Sequence, residues 1–221
     1  MRLVLNSFLI FLFFVFSPAF AKEHYKKYNI KVSGIKIGTL EWLVYLSENE
    51  YYNRLKLESE GMLSFIYSFD GEYFSSGFRK NMELESIEYS HLWKTKGVTK
   101  EMNLGFFEKK LASLVQTPNE KEHIRINIFD IKNTKDPLTS FLQIIIGGKG
   151  SQVVDGRRLY NMSVLKNDNN NRKIIGIINY FNLWADHKKN KFEKIIFEDL
   201  GENILPSKID IYFDNKTFKL E

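Results

Sequence analysis

Asp136-Pro137-Leu138-Thr139-Ser140-Phe141-Leu142-Gln143-Ile144-Ile145-Ile146-Gly147-Gly148 is the stretch in which the apolar period of the chain becomes helical. Leu138, Phe141, Leu142 and Ile145 fall at i, i+3, i+4 and i+7, one face of an α-helix. Asp136 suits the N-cap because its carboxylate can accept the free backbone N–H groups of the first turn, and Pro137 suits the first helical position, where a missing donor is harmless. Gly147-Gly148 lets the chain leave through positive φ. The spacing predicts one helix over 136–147. Soon after it, Asp155-Gly156 between extended runs predicts a tight hairpin with positive φ at both central residues.

Outward from this helix the period is two. Leu40, Trp42, Val44 and Leu46 share one face of a strand, with Leu43 and Tyr45 adding apolar bulk to the other. Tyr28 to Val32 reads as the first strand, after a frayed, basic 22–27. Leu55 and Leu57 point inward from Tyr52 to Glu58. Gly61 to Tyr67 fits a short helix or a buried strand equally. Asp70-Gly71 reads as a turn. Strands are predicted over Tyr73 to Arg79, Glu83 to Lys94 (Ile87, Tyr89 and His91 on one face), Lys100 to Phe107, Leu111 to Gln116 and Ile124 to Ile128. Arg157 to Val164, Lys173 to Leu183, Phe192 to Glu198 and Ile209 to Phe213 complete the set, with Phe218 beyond. Asn167 to Asn171 and Asp186 to Lys191 read as polar loops. About ten strands joined by short turns make neighbours antiparallel, and a sheet this wide curls. The expected fold is mainly β: a large, strongly curved antiparallel sheet, a half-barrel or open barrel, with one main helix near 136–147 plugging its mouth or covering its concave face.

The first residues predict export. Arg2, an apolar run from Leu3 to Phe16, Ser17-Pro18 and then Ala19-Phe20-Ala21 form a signal-peptide pattern cut after Ala21. The run is short for a membrane span, which needs roughly 20 apolar residues. No cysteine follows it for lipid attachment, and no later stretch is long and apolar enough for a transmembrane helix. The 221 residues less 21 leave 200, a size that suits one β-rich domain, 22–221. The chain has no cysteine, which removes disulfides, thiol catalysis and zinc–thiolate sites. The net charge of +5 falls to +4 without Arg2 and is spread along the chain. With export, the lack of a basic stripe argues against nucleic acid.

Chemistry-bearing motifs are sparse. His24, His91, His123 and His187 are widely spaced, with no metal-ligand pair, and no cofactor or metal is implied. Ser64, Ser140 and Ser163 lack a nucleophile-elbow setting. Gly147-Gly148-Lys149-Gly150 follows a helix instead of opening one, so it caps that helix and does not cradle phosphate. Asp186-His187 and Lys188-Lys189-Asn190-Lys191 read as a solvated face. No catalytic residue is assigned. Arg157 and Arg158 point to opposite sides of an extended chain, so one can face the concavity, where it must pair, with Asp136 or Asp155, or bind an anion. Arg157, Arg158, Tyr160 and Trp42 are the candidate ligand-binding residues. Asp136, Pro137, Gly147, Asp155 and Gly156 form the structural motif.

Four segments in order, Gly34 to Trp42 (GIKIGTLEW), Asp136 to Leu142 (DPLTSFL), Val153 to Val164 (VVDGRRLYNMSV) and Leu205 to Ile211 (LPSKIDI), together with the signal peptide, resemble the DUF3108 family of exported bacterial proteins. The resemblance implies a Gram-negative periplasmic setting and a β-rich fold, and supplies no catalytic residues. Many members carry cysteines near the Asp-Gly-Arg motif and in a later strand; this chain has none. The expected function is non-enzymatic binding or envelope maintenance, with an apolar or lipid-like ligand, or another envelope component, held in the curved sheet. An envelope scaffold and a hydrolase built from separate strands are the alternatives.

Overall fold

A computed structural model describes residues 22–60, 68–168, 172–185, 192–198 and 203–221. The signal-peptide segment, Gly61 to Tyr67, the 169–171 tip of the asparagine loop and the 186–191 loop lie outside the described residues. Fourteen strands follow in chain order: β1 (Lys22–Val32), β2 (Ile35–Leu46), β3 (Glu50–Ser59), β4 (Phe69–Lys80), β5 (Glu83–Thr95), β6 (Val98–Phe107), β7 (Lys110–Thr117), β8 (Thr134–Lys135), β9 (Ser151–Val154), β10 (Arg158–Asp168), β11 (Arg172–Asn182), β12 (Phe192–Glu198), β13 (Lys208–Phe213) and β14 (Lys216–Leu220). The helix α1 (Pro137–Ile145) stands between β8 and β9.

All fourteen strands belong to one sheet, ordered β7-β6-β5-β4-β3-β2-β1-β14-β13-β12-β11-β10-β9-β8. Every neighbouring pair is antiparallel except β8 with β9, which the α1 crossover makes parallel. The two ends of the sheet approach each other: Thr134 donates its backbone N–H to Lys109 O at 3.1 Å, and a single bridge joins Lys110 to Lys132. The sheet is therefore a nearly closed barrel, and closure hides most edge N–H and C=O groups.

The helix fills the middle of the interior. Seven of the nine α1 residues are buried, so the helix lies inside the sheet and not on its surface. Leu142, Ile144 and Ile145 share one core with Tyr28, Trp42, Val44, Tyr160 and Ile209, drawn from strands around the whole barrel. Fully burying an apolar side chain of this size contributes about 1.5–3 kcal/mol.

A buried polar network fixes the helix. Asp136 caps it, accepting the Thr139 N–H at 2.9 Å and the Ser86 hydroxyl at 2.7 Å, while the Thr139 hydroxyl also donates to it. Tyr51 bonds the Thr139 hydroxyl, and Asn53 bridges Trp42 Nε1 (2.6 Å) to Leu138 O (3.3 Å). At the other end the Gln143 carbonyl accepts the Leu84 N–H at 2.8 Å and the Lys135 ammonium, whose second partner is Glu83 at 2.6 Å. Gly147 has φ of +96°, the exit its sequence position implies.

Four local readings change. Residues 22–27 are not frayed, because they pair with Glu41–Leu46 of β2 and their inward groups find partners: His24 bonds Asn203, and Lys26 donates to Pro206 O at 3.0 Å. Asp70-Gly71 is inside β4, not in a turn; the missing Cβ of Gly71 is where the Trp93 ring sits, 2.7 Å from that position. Ile124 to Ile128 is no strand: Asn127 caps a 3-10 turn over Ile128–Asp130, and Ile124 keeps one bridge, to Trp184. In β5 the register jumps between Ser86 and Glu88, so Leu84 and Ser86 face inward before Ile87, and Tyr89 and His91 face inward after it. The bulged Ile87 is 38 % exposed; one extra residue swaps the faces of all that follow.

Candidate functional site

Inward residues two apart on neighbouring strands build an apolar cavity at one end of the barrel. Ile30, Leu57, Phe69, Trp93, Phe213 and Phe218 line a space of about 700 Å³, whose lining is apolar apart from Ser33 and Lys216. Phe69 and Trp93 stack at 5.5 Å with planes 5° apart, and Gly71 leaves room for that stack. One step deeper on the same strands, Leu55, Ile211 and Leu220 line a smaller space of about 160 Å³ with no polar side chain around it. Its floor is α1: Phe141 stacks on Trp42 at 5.6 Å and meets Phe197 edge-on at 5.7 Å. The two spaces follow one apolar track from the open end to the helix.

Trp42, a sequence candidate, lies in that inner wall, buried with its indole N–H satisfied by Asn53. The other candidates gather around the β9–β10 turn. Asp155 Oδ1 accepts the backbone N–H groups of Arg157 at 2.8 Å and Arg158 at 2.6 Å. Only Gly156 takes positive φ, +85°, so the Asp155 side chain, not a second left-handed residue, shapes this turn. Gly156 is packed against Met102, whose sulfur lies 2.5 Å from where a Cβ would be, and its carbonyl accepts the Trp184 N–H at 3.1 Å. The turn is thus folded inward onto β6. Asp155 is the acidic partner of both arginines, while Asp136 is occupied by the helix cap.

Arg158 lies over the Tyr180 ring at 5.6 Å, and its Nε is buried with no hydrogen-bond partner among the described residues. Arg157 faces His91, whose pKa is pushed down to about 4, first by burial and then by that guanidinium. Tyr160 is buried between Tyr180 (5.7 Å) and Phe192 (6.0 Å). Desolvation raises the Asp155 carboxyl, which the two arginines partly oppose, and it raises the Tyr73 and Tyr180 hydroxyls to about 12.

This polar cluster adjoins the apolar track. Ring contacts run from Tyr180 through Tyr160 and Phe192 to Phe213 on one side, and from His91 through Tyr73 to Trp93 on the other. Phe213 and Trp93 both line the outer cavity. Arg157, Arg158 and Tyr160 therefore share one neighbourhood, and Trp42 belongs to the deeper apolar part. The sequence puts Tyr89 and His91 on one face, but with Ile87; the Ile87 bulge conceals that this face is the inner one. The apolar mouth escaped sequence reading because its lining comes from seven strands.

Among the described residues, the buried serine–carboxylate pair Ser86 with Asp136 is 3 % and 0 % exposed and serves the helix cap. His91 bonds the Tyr89 hydroxyl at 3.2 Å, and burial, with the Arg157 cation second, keeps its imidazole neutral. Among the described residues no group of three or more His, Asp or Glu is placed to hold a metal ion, and no helix is long and apolar enough to cross a membrane. A separate, charged cavity of about 530 Å³ lies at the barrel seam, lined by Lys109, Lys132, Lys135, Lys149, Glu83 and Glu85 among others.

No family model matches the sequence, and no curated protein matches it. Among solved structures the chain is similar to the crystal structure of a beta-barrel-like protein of domain of unknown function DUF1849 from Brucella abortus, at 12 % identity and a TM-score of 0.46, covering 90 % of this chain and 95 % of that one.

Proposed function

We propose that this protein is a non-enzymatic binding protein that holds an apolar, lipid-like ligand inside its barrel and serves the bacterial envelope. The observation that carries the reading is the apolar track: a cavity of about 700 Å³ at one end of the barrel and, one step further along the same strands, a smaller apolar space of about 160 Å³ above Trp42 and Phe141. Ligand sites are typically concave, mostly apolar and roughly 300–1,000 Å³ in volume. A rigid barrel also presents such a cavity without paying an ordering cost at binding. The signal-peptide pattern before Lys22 and the DUF3108-like segments support a periplasmic setting in a Gram-negative cell.

The test is titration with a fluorescent fatty acid. Saturable one-to-one binding is expected, and Leu57→Arg, which puts a cation into the apolar outer cavity, is expected to weaken it sharply while leaving the far-ultraviolet circular dichroism of the barrel unchanged. Equal binding by the parent and the charged variant refutes the cavity as the site.

A further inference from the structure

The open end of the cavity is ringed by three hairpin tips. The β1–β2 tip at Ser33-Gly34 carries Ile35, 57 % exposed, and the β5–β6 tip at Lys96-Gly97 carries Val98, 47 % exposed. The β13–β14 tip at Asp214-Asn215 is followed by Lys216, which lines the cavity with Ile35. Lys94, Lys96, Lys100 and Lys216 stand around these tips, and among the described residues none of the four is in an ion pair. The nearby acids are Asp70, opposite Lys94, and Asp214; Glu60 is already paired with Lys36 at 2.7 Å. On the outer wall of β1–β4, by contrast, cations are matched: Lys27 with Glu41, Arg54 with Glu72, Lys56 with Glu58.

We infer that this rim docks on an anionic lipid bilayer, with Ile35 and Val98 entering the interface and the lysines meeting the headgroups. The inference rests on the cavity reading above and names the surface with which that cavity exchanges its contents. Two observations choose a bilayer. The unpaired charge around the opening is mainly positive, Lys94, Lys96, Lys100 and Lys216 against Asp70 and Asp214, and complements acidic headgroups. The exposed apolar residues sit singly on separate tips next to an apolar cavity, so seating the tips in the interface brings the opening against acyl chains. A ligand then passes from bilayer to barrel without crossing water.

The test uses the protein in the form its own cells accumulate, with the N-terminus established by sequencing, and vesicles of phosphatidylcholine with or without phosphatidylglycerol. Flotation with the anionic vesicles and little with the neutral ones is expected, and it weakens as salt shortens the screening length. The triple variant K94E/K96E/K216E is expected to lose binding by on the order of tenfold or more, because each lysine near an anionic surface contributes about a fivefold gain. Ile35→Asp with Val98→Asp should also lose it. K80E/K109E/K208E, the same charge change at the far end, should keep most of it. Equal loss from rim and far-end reversals, or no preference for anionic vesicles, overturns the inference. Fatty-acid uptake in solution without vesicle binding overturns docking alone; rim-dependent docking without fatty-acid uptake overturns the carrier reading and leaves docking standing.

Discussion

Asp136→Ala tests how the helix is held inside the barrel. The Asp136 carboxylate is fully buried and accepts from the Thr139 N–H, the Thr139 hydroxyl and the Ser86 hydroxyl. Losing the N-cap costs about 1 kcal/mol. The Thr139 hydroxyl keeps Tyr51 as a partner, but the Ser86 hydroxyl loses its acceptor in a closed space, which costs about 1–3 kcal/mol. The sum is about 2–4 kcal/mol, a large part of the 5–15 kcal/mol typical of a whole domain. Asp136→Asn is milder, because one amide oxygen still caps the helix while the NH₂ group faces donors. Urea unfolding followed by tryptophan fluorescence reads the loss, since Trp42 stacks on Phe141 of the helix. Because both observables share the helix, Asp136→Ala also weakens fatty-acid binding at the inner cavity. A loss under about 0.5 kcal/mol would refute the account of the cap as the anchor, as would full additivity of Asp136→Ala with Ser86→Ala, since groups bonded to each other should couple.

Three further outcomes follow from the geometry. His91 has a folded-state pKa of about 4 against an ordinary value of 6.5, so the unfolded chain binds a proton that the folded one refuses. Stability therefore falls as the pH drops from 6.5 towards 4, by up to about 3 kcal/mol from this group, and His91→Asn should flatten that part of a melting-temperature profile. Asp136 and Asp155, raised by burial, act in the opposite sense, losing stability as the pH rises through the window above ordinary carboxylate values. Phe141→Ala should cost about 3–5 kcal/mol and deepen the inner cavity, whose floor it forms; a longer-chain ligand should then restore more melting temperature than it does in the parent. Gly71→Ala places a methyl 2.7 Å from the Trp93 ring; a ring moves more readily than backbone, so the cost is about 1–3 kcal/mol, with fatty-acid affinity falling more than stability.

Much of the fold was legible because it is written in period and punctuation. Asp136-Pro137 and Gly147 mark the helix with local chemistry, and the structure uses both ends as the sequence implies. The alternation from Leu40 to Leu46 survives because its buried face is continuous. Reading fails where a residue answers to a distant partner. Gly71 looks like a turn glycine, yet it is a strand residue shaped by Trp93 across the ladder. His24 and Lys26 look like a solvated start, yet Asn203 and Pro206, almost a chain length away, satisfy them. Ile87 conceals a bulge that alternation alone cannot show. At the site, Arg157 and Arg158 are visible as unusual neighbours, and Asp155 as their partner. That Arg157 faces His91 and Arg158 faces Tyr180 depends on the closure of the barrel, which no local pattern records.

The central claim is that the barrel carries an apolar ligand, and native mass spectrometry of the protein taken gently from its own cells tests it most directly. The account predicts a folded protein peak accompanied by a lipid-mass adduct that fragments to an acyl chain and is depleted in Leu57→Arg purified alongside. A protein that arrives only at its bare mass, in the parent and the charged variant alike, under conditions that keep a control lipid carrier loaded, would contradict it.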